Sequence, residues 1–229
     1  MSKLTLEDLR RLRKNENDRI RRANKRFQEA TKAQKRVIVA KDVLTQLALG
    51  KIIASPGTYL NIDDSDVDSL FNKAEGGETW DSEQPSKTEI NEAKDTQMCD
   101  VFKGMKSCSA CALGSVFVSA VSIMDKLTVG DIVEDSYIGD DDGMRKYLGK
   151  VFSLKQLHMI ENAFERGCVN ALYKPGHKDL YCNKCGYSCV EFDNALEERC
   201  EDFCESDDPR VRLEQIMKNV IANNGTFIP

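Results

Sequence analysis

The chain has 229 residues, is 41% hydrophobic and carries a net charge of −5, enough apolar material to build the core of one or two small domains. No apolar run approaches the roughly 18 residues of a membrane span, and Met1 to Asn15 is charged where a signal peptide is apolar, so the reading is a cytoplasmic protein with no membrane partner. Nine cysteines, an odd count without a secretion signal, point to reduced or metal-bound thiols rather than a disulfide scaffold.

The charge is segregated along the chain. Residues 1–41 hold fourteen Lys/Arg and five Asp/Glu, a net +9, which leaves −14 on the remaining 188 residues of a chain that totals −5. The N-terminal part begins with Thr5 and Asp8 in capping-box spacing and has no Gly or Pro before Gly50. Leu6, Leu9, Ile20, Ala23, Phe27, Ala30 and Val37 fall in heptad register, interrupted by Arg13, Glu16 and Gln34. This predicts a basic helical arm that continues, through Ala40, Val43, Leu44 and Leu47, into a packed helix ending at Gly50.

Lys51–Ala54 and Tyr59–Ile62 flank Ser55-Pro56-Gly57-Thr58, the chemistry of a type II turn, and predict a β-hairpin over 51–62. Residues 63–98 are rich in Asp, Glu, Ser, Gly and Asn and read as an acidic, partly disordered linker, with Phe71 and Trp80 as its apolar exceptions. From Cys108 to Met124 the small and apolar residues predict a buried helix capped by Ser107 or Ser109. Ser153 with Gln156 caps a helix that buries Leu154, Leu157, Ile160 and Phe164 and stops at Gly167. Asp208-Pro209 opens a last helix with Leu213, Ile216, Met217 and Val220 on one face. The fold class is therefore mainly α, an α+β arrangement with one minor hairpin. Its segments are an arm and packed helix (1–50), the hairpin (51–62), the linker (63–98) and a helical body (99–229) with a cysteine-rich insert at 177–204.

Five cysteines fall within twenty-three residues, and Cys182-Asn-Lys-Cys185-Gly186 has the spacing of a metal knuckle, where Gly permits the sharp turn. A structural Zn²⁺ held by Cys182, Cys185, Cys200 and Cys204 is the functional reading, the last two lying i, i+4 on one helical face. Cys189 and His177 are reserve ligands. The alternative is a set of thiols without metal. Cys108-Ser-Ala-Cys111 is a second C-x2-C, and a helix start there would lower a thiol pKa, making Cys108 and Cys111 candidates for a nucleophile or redox centre. The apolar run that follows reads equally as core. Asp140-Asp141-Asp142-Gly143 lacks the ligand spacing of an EF-hand and reads as an acidic loop. No Walker A, Rossmann, G-x-S-x-G or H-E-x-x-H pattern is present.

On the arm, Arg10, Arg11, Arg13, Arg19, Ile20, Arg22, Arg26 and Phe27 are the candidate partner-binding residues. The basic charge suits an acidic protein surface or a second copy of the chain, and, as an alternative, nucleic acid. Four segments, Lys35-Arg36-Val37 through Tyr59, Cys111-Ala112-Leu113-Gly114, Phe152 to Gly167, and Arg212 to Pro229, together resemble a group of uncharacterised accessory proteins common in bacteriophage genomes. The cysteine cluster departs from that pattern. The resemblance implies a setting, an infected bacterial cell, where the partner would be a host defence or regulatory protein or the small nucleotide signal such a protein uses. A non-enzymatic binding protein is the first reading; a thiol-dependent enzyme using Cys108 or Cys111 is the second.

Overall fold

Thr31 decides where the first packed helix begins. Its backbone is extended (φ −64°, ψ 159°), its hydroxyl accepts from Gln34 N at 3.2 Å, and Gln34 Oε1 accepts from Thr31 N at 2.9 Å. This reciprocal capping box starts helix α1 (Lys32–Ala48) afresh after the helical residues 25–29. The uninterrupted helix expected up to Gly50 is corrected accordingly: the apolar period runs across the break, and Gln34, an apparent flaw in the seam, is the residue that closes the cap. The computed structural model describes residues 25–77, 84–124, 127–134, 141–166, 168–170, 200–202 and 206–228. They are mainly helical, with a small three-stranded sheet.

Strands form where the turn chemistry places them, at β1 (Ile52–Ala54) and β2 (Leu60–Ile62), yet they do not pair with each other. Strand β3 (Cys108–Ala110) lies between them, parallel to β1 and antiparallel to β2. The expected hairpin is thus opened by a third strand. Ser55 N donates to Ala110 O at 2.9 Å and Cys111 N to Thr58 O at 2.6 Å, so the 55–59 loop straddles β3. Five loop residues easily bridge two strand spacings of about 4.8 Å each. Because 108–110 is strand, the helix expected from Cys108 begins instead at Ala112.

The segment expected to be a linker is largely helical. Asp64 caps α2 (Ser65–Glu75) by accepting from Asp66 N, and Gly76, at φ 71°, ends it. Ser86 and Glu89 form a capping box for α3 (Lys87–Lys94). Val67, Ala74 and Ala93 are buried, and the two helices pack on each other. The acidic residues that suggested disorder serve as caps and as first-turn charges, where the helix dipole favours them. Trp80 lies outside the described residues.

Helix α4 (Met98–Gly104) leads to β3 and then to α5 (Ala112–Met124), the centre of the molecule. Every residue from Ala112 to Val121 is buried. A helix apolar or small all round must be surrounded, and α1, α4, α7 (Asp141–Leu148) and α8 (Leu154–Arg166) pack on it. Phe117 meets Phe102 and Tyr147 edge to face, with centroids 6.4 and 5.4 Å apart. Between α5 and α7, α6 (Val129–Glu134) starts at a Thr128–Asp131 cap and packs against α2 and α3. Ser153 caps α8 through Gln156 N as expected. Strands β4 (Cys168–Asn170) and β5 (Cys200–Asp202) then pair antiparallel, Asn170 opposite Cys200. Helix α9 (Pro209–Ala222), capped by Asp208, packs on α1 and α8. Its tail is fastened by Arg36, which donates to Gly225 O and, at 2.9 Å, to Val151 O. No helix among the described residues is long and apolar enough to cross a membrane.

Candidate functional site: a cleft over the central helix

The start of α5 is pressed against the 55–59 loop. A Cβ on Gly114 would lie 1.5 Å from Tyr59 O, so only glycine allows this approach. The contact sets Tyr59 and the Gly57 amide across from α8. Gly57 N donates to Glu165 Oε2 at 2.8 Å, and the Tyr59 hydroxyl to Glu161 Oε1 at 3.3 Å. Glu161 and Glu165, one helical turn apart, therefore face the same loop. Together with Asn162 and Cys111 they line a cleft of about 380 Å³.

Behind the cleft lies a buried ion pair. Arg145 of α7 donates to Glu161 Oε2, and their side chains are 10% and 7% exposed. The Arg145 Nη1 also lies 2.8 Å from Nδ1 and 2.9 Å from Nε2 of half-buried His158. A guanidinium only donates, so the ring nitrogen it meets acts as acceptor. His158 is thus part of a polar cluster.

The thiols behave oppositely to the expectation of a lowered pKa. Cys108 sits in a strand rather than at a helix start, and burial pushes its thiol up to about 11. Cys111 does precede α5, and Gly114 N donates to its sulfur at 3.5 Å. Even so, burial above all, aided by the Glu165 and Glu161 charges, pushes it up to about 12. Desolvation of the thiolate outweighs the helix terminus. Of the two, only Cys111 lines the cleft, where burial disfavours its thiolate, and the Glu161 and Glu165 carboxylates supply hydrogen-bond acceptors there.

The expected zinc ligands Cys182, Cys185 and Cys204, and the reserves His177 and Cys189, lie outside the described residues. Cys200 is described, but it begins β5 rather than a helix, which removes the helical-face argument for pairing it with Cys204. Among the described residues, no group of three or more His, Cys, Asp or Glu is placed to hold a metal ion. Of the arm, Arg10, Arg11, Arg13, Arg19, Ile20 and Arg22 also lie outside them. Arg26 is exposed and lines a groove of about 560 Å³ with Ala30, Ala33 and Val37. Phe27, expected to meet a partner, is 1% exposed and belongs to the core, with Lys35 Nζ 5.3 Å over its ring. A second groove, of about 470 Å³, lies between β2, α2 and α6.

Sequence reasoning missed Tyr59, Arg145, Glu161 and Glu165. The i, i+4 carboxylates on a well-capped helix were the one available signal, since their partners are 102 and 108 residues away. In comparisons with known proteins, no family model, curated protein or solved structure matches the chain.

Proposed function

We propose that this chain is a non-enzymatic interaction protein whose basic N-terminal arm docks on an acidic protein surface. The observation that carries this reading is the separation of charge: residues 1–24 hold a net +4 and 25–41 a net +5, while the remaining 188 residues sum to −14. The buried, high-pKa thiols supply no support for the enzymatic alternative. Nor does the cleft favour an anionic nucleotide signal, because the Glu165 carboxylate lines it and Glu161 is already paired with Arg145. In the setting implied by the phage resemblance, the target is a host defence or regulatory protein in the bacterial cytoplasm.

The insert is proposed as a separate structural module, a zinc staple using Cys182, Cys185, Cys200 and Cys204. The β4–β5 ladder supports it by joining the two ends of the intervening loop, so that one bound ion would close a compact unit. Purified protein should then carry about one zinc per chain, as a closed four-ligand site requires, and Cys182→Ser should release it.

The interaction reading is tested with the intact protein and a version lacking residues 1–24, a cut that spares Phe27 and the Thr31 cap. Both are used as bait in infected-cell lysate, and captured proteins are compared by mass spectrometry. Loss of a specific acidic partner on deletion is the expected result. Capture of nucleic acid instead, abolished by nuclease and by added salt, would overturn the protein-surface reading. Fast alkylation of Cys108 or Cys111 in the folded protein would restore the enzymatic one.

A further inference from the structure

The two grooves differ in the charge of their surroundings, and that difference selects which of them an arm can occupy. The groove beside Arg26 belongs to the basic stretch 25–41, so a basic arm is repelled there. The groove between β2, α2 and α6 has an apolar floor of Leu60, Ile62, Val67 and Ile132, with Phe71 half-buried at its wall. Its rim carries exposed Asp68 and Glu75, and residues 63–75 hold five acids against the single Lys73, a net −4.

We propose that this acid-rimmed groove receives the N-terminal arm of a second copy of the chain, so that two copies exchange arms reciprocally. The inference rests on the reading of the arm as a docking element and names the surface it docks on. Charge is the first argument: +4 on residues 1–24 meets −4 on 63–75. Spacing is the second. As a helix, the arm presents Leu6, Leu9, Arg10 and Arg13 on one face, with each leucine one turn before an arginine. On α2, Phe71 likewise stands one turn before Glu75. A leucine on the apolar floor thus carries an arginine to the rim, the usual manner of a helix in a groove. Arg13, which interrupts the apolar seam of the arm, gains an acidic partner in this arrangement. Reach is the third argument. Twenty-four residues in helical form would extend about 36 Å at 1.5 Å per residue, ample to cross to another molecule. The Thr31 cap starts α1 afresh, and the helical residues 25–29 before it are held to the body by buried Phe27. Two symmetric contacts per dimer follow, each residue pairing the same way in both directions.

The test is a charge swap on the full chain. Arg10→Glu/Arg13→Glu reverses the arm, and Asp68→Arg/Glu75→Arg reverses the exposed rim; circular dichroism checks that each variant folds. Sedimentation velocity should show the parent as a dimer and each double variant weakened at least tenfold. Mixed together, the two variants should form a heterodimer of near-parental affinity, because one contact then pairs the acidic arm with the basic rim and the other keeps the parental basic arm on the acidic rim. Three results overturn the proposal. A monomeric parent would do so outright. A dimer indifferent to the rim reversal would place the arm elsewhere. Recovery when all four changes share one chain, without recovery on mixing, would put the arm on its own body. None of these results touches the reading of the arm as a partner-binding element, which falls only if deletion of residues 1–24 leaves capture unchanged.

Discussion

Two polar groups are buried against the central helix, and they are treated in opposite ways. At the α7–α8 contact, the Arg145 guanidinium and Glu161 carboxylate neutralise each other, with Tyr59 and His158 adding hydrogen-bonding partners. At the α1–α5 contact, Asp42 Oδ2 and Ser119 Oγ are buried without a hydrogen-bond partner among the described residues. The Ser119 hydroxyl and Gln46 lie near enough to Asp42 to offset part of its burial, yet the net result is a raised carboxyl pKa. The comparison shows that a buried charge is tolerated beside the cleft because its partners come from three elements, whereas the groups that offset burial of the α1 carboxyl, Ser119 and Gln46, are neutral.

The largest expected effect comes from breaking the satisfied pair. Glu161→Ala leaves the Arg145 guanidinium buried without its carboxylate, which costs about 3–5 kcal/mol in comparable sites, read as a lower urea midpoint. Arg145→Met/Glu161→Leu should recover most of that loss, since replacing a whole buried pair by apolar residues is commonly neutral or stabilising. Equal destabilisation in the single and the paired variant would mean that packing, rather than charge, dominates there. A smaller effect is expected from Tyr59→Phe, which removes the 3.3 Å hydrogen bond to Glu161 at a cost of about 1 kcal/mol. Added to Glu161→Ala it should cost less than it does alone, because its acceptor is already gone.

These differences also show which parts of the molecule were legible in the sequence. Helices α8 and α9 were, because Ser153–Gln156 and Asp208–Pro209 are local signals of their starts. Thr31–Gln34 is the same kind of signal and was overlooked, because the apolar period continues across it. Helix α2 was hidden by its acids, which look like a solvated linker until Asp64 is seen to cap it. The position of β3 was out of reach for a different reason. Three residues pair with strands about fifty residues earlier, and nothing in Cys108-Ser-Ala specifies that register. The cleft inherits this limit, since Tyr59 reaches Glu161 only after β3 has separated the two strands and Gly114 has admitted the loop.

The smallest effect should come from the orphaned side of the comparison, and its sign reverses the usual outcome of altering a buried polar residue. Burial raises the Asp42 carboxyl above its ordinary value of 3.8, so the folded state binds more protons than the unfolded state between that value and the raised one. Stability then falls as pH rises through this window and stays reduced above it, because the ionised carboxylate remains buried. Asp42→Asn keeps the shape, removes the charge and supplies an amide that can donate to Ser119 Oγ. At pH 7 it should stabilise the protein by about 1 kcal/mol or less, the scale of one net hydrogen bond. The gain should shrink as pH falls through the window, where the parent carboxyl is already protonated. Thermal unfolding of parent and variant at matched pH values isolates the effect, since every other carboxylate contributes equally to both. A variant less stable than the parent at pH 7, or a difference that does not vary with pH, would show that Asp42 is ionised and adequately solvated at the α1–α5 contact.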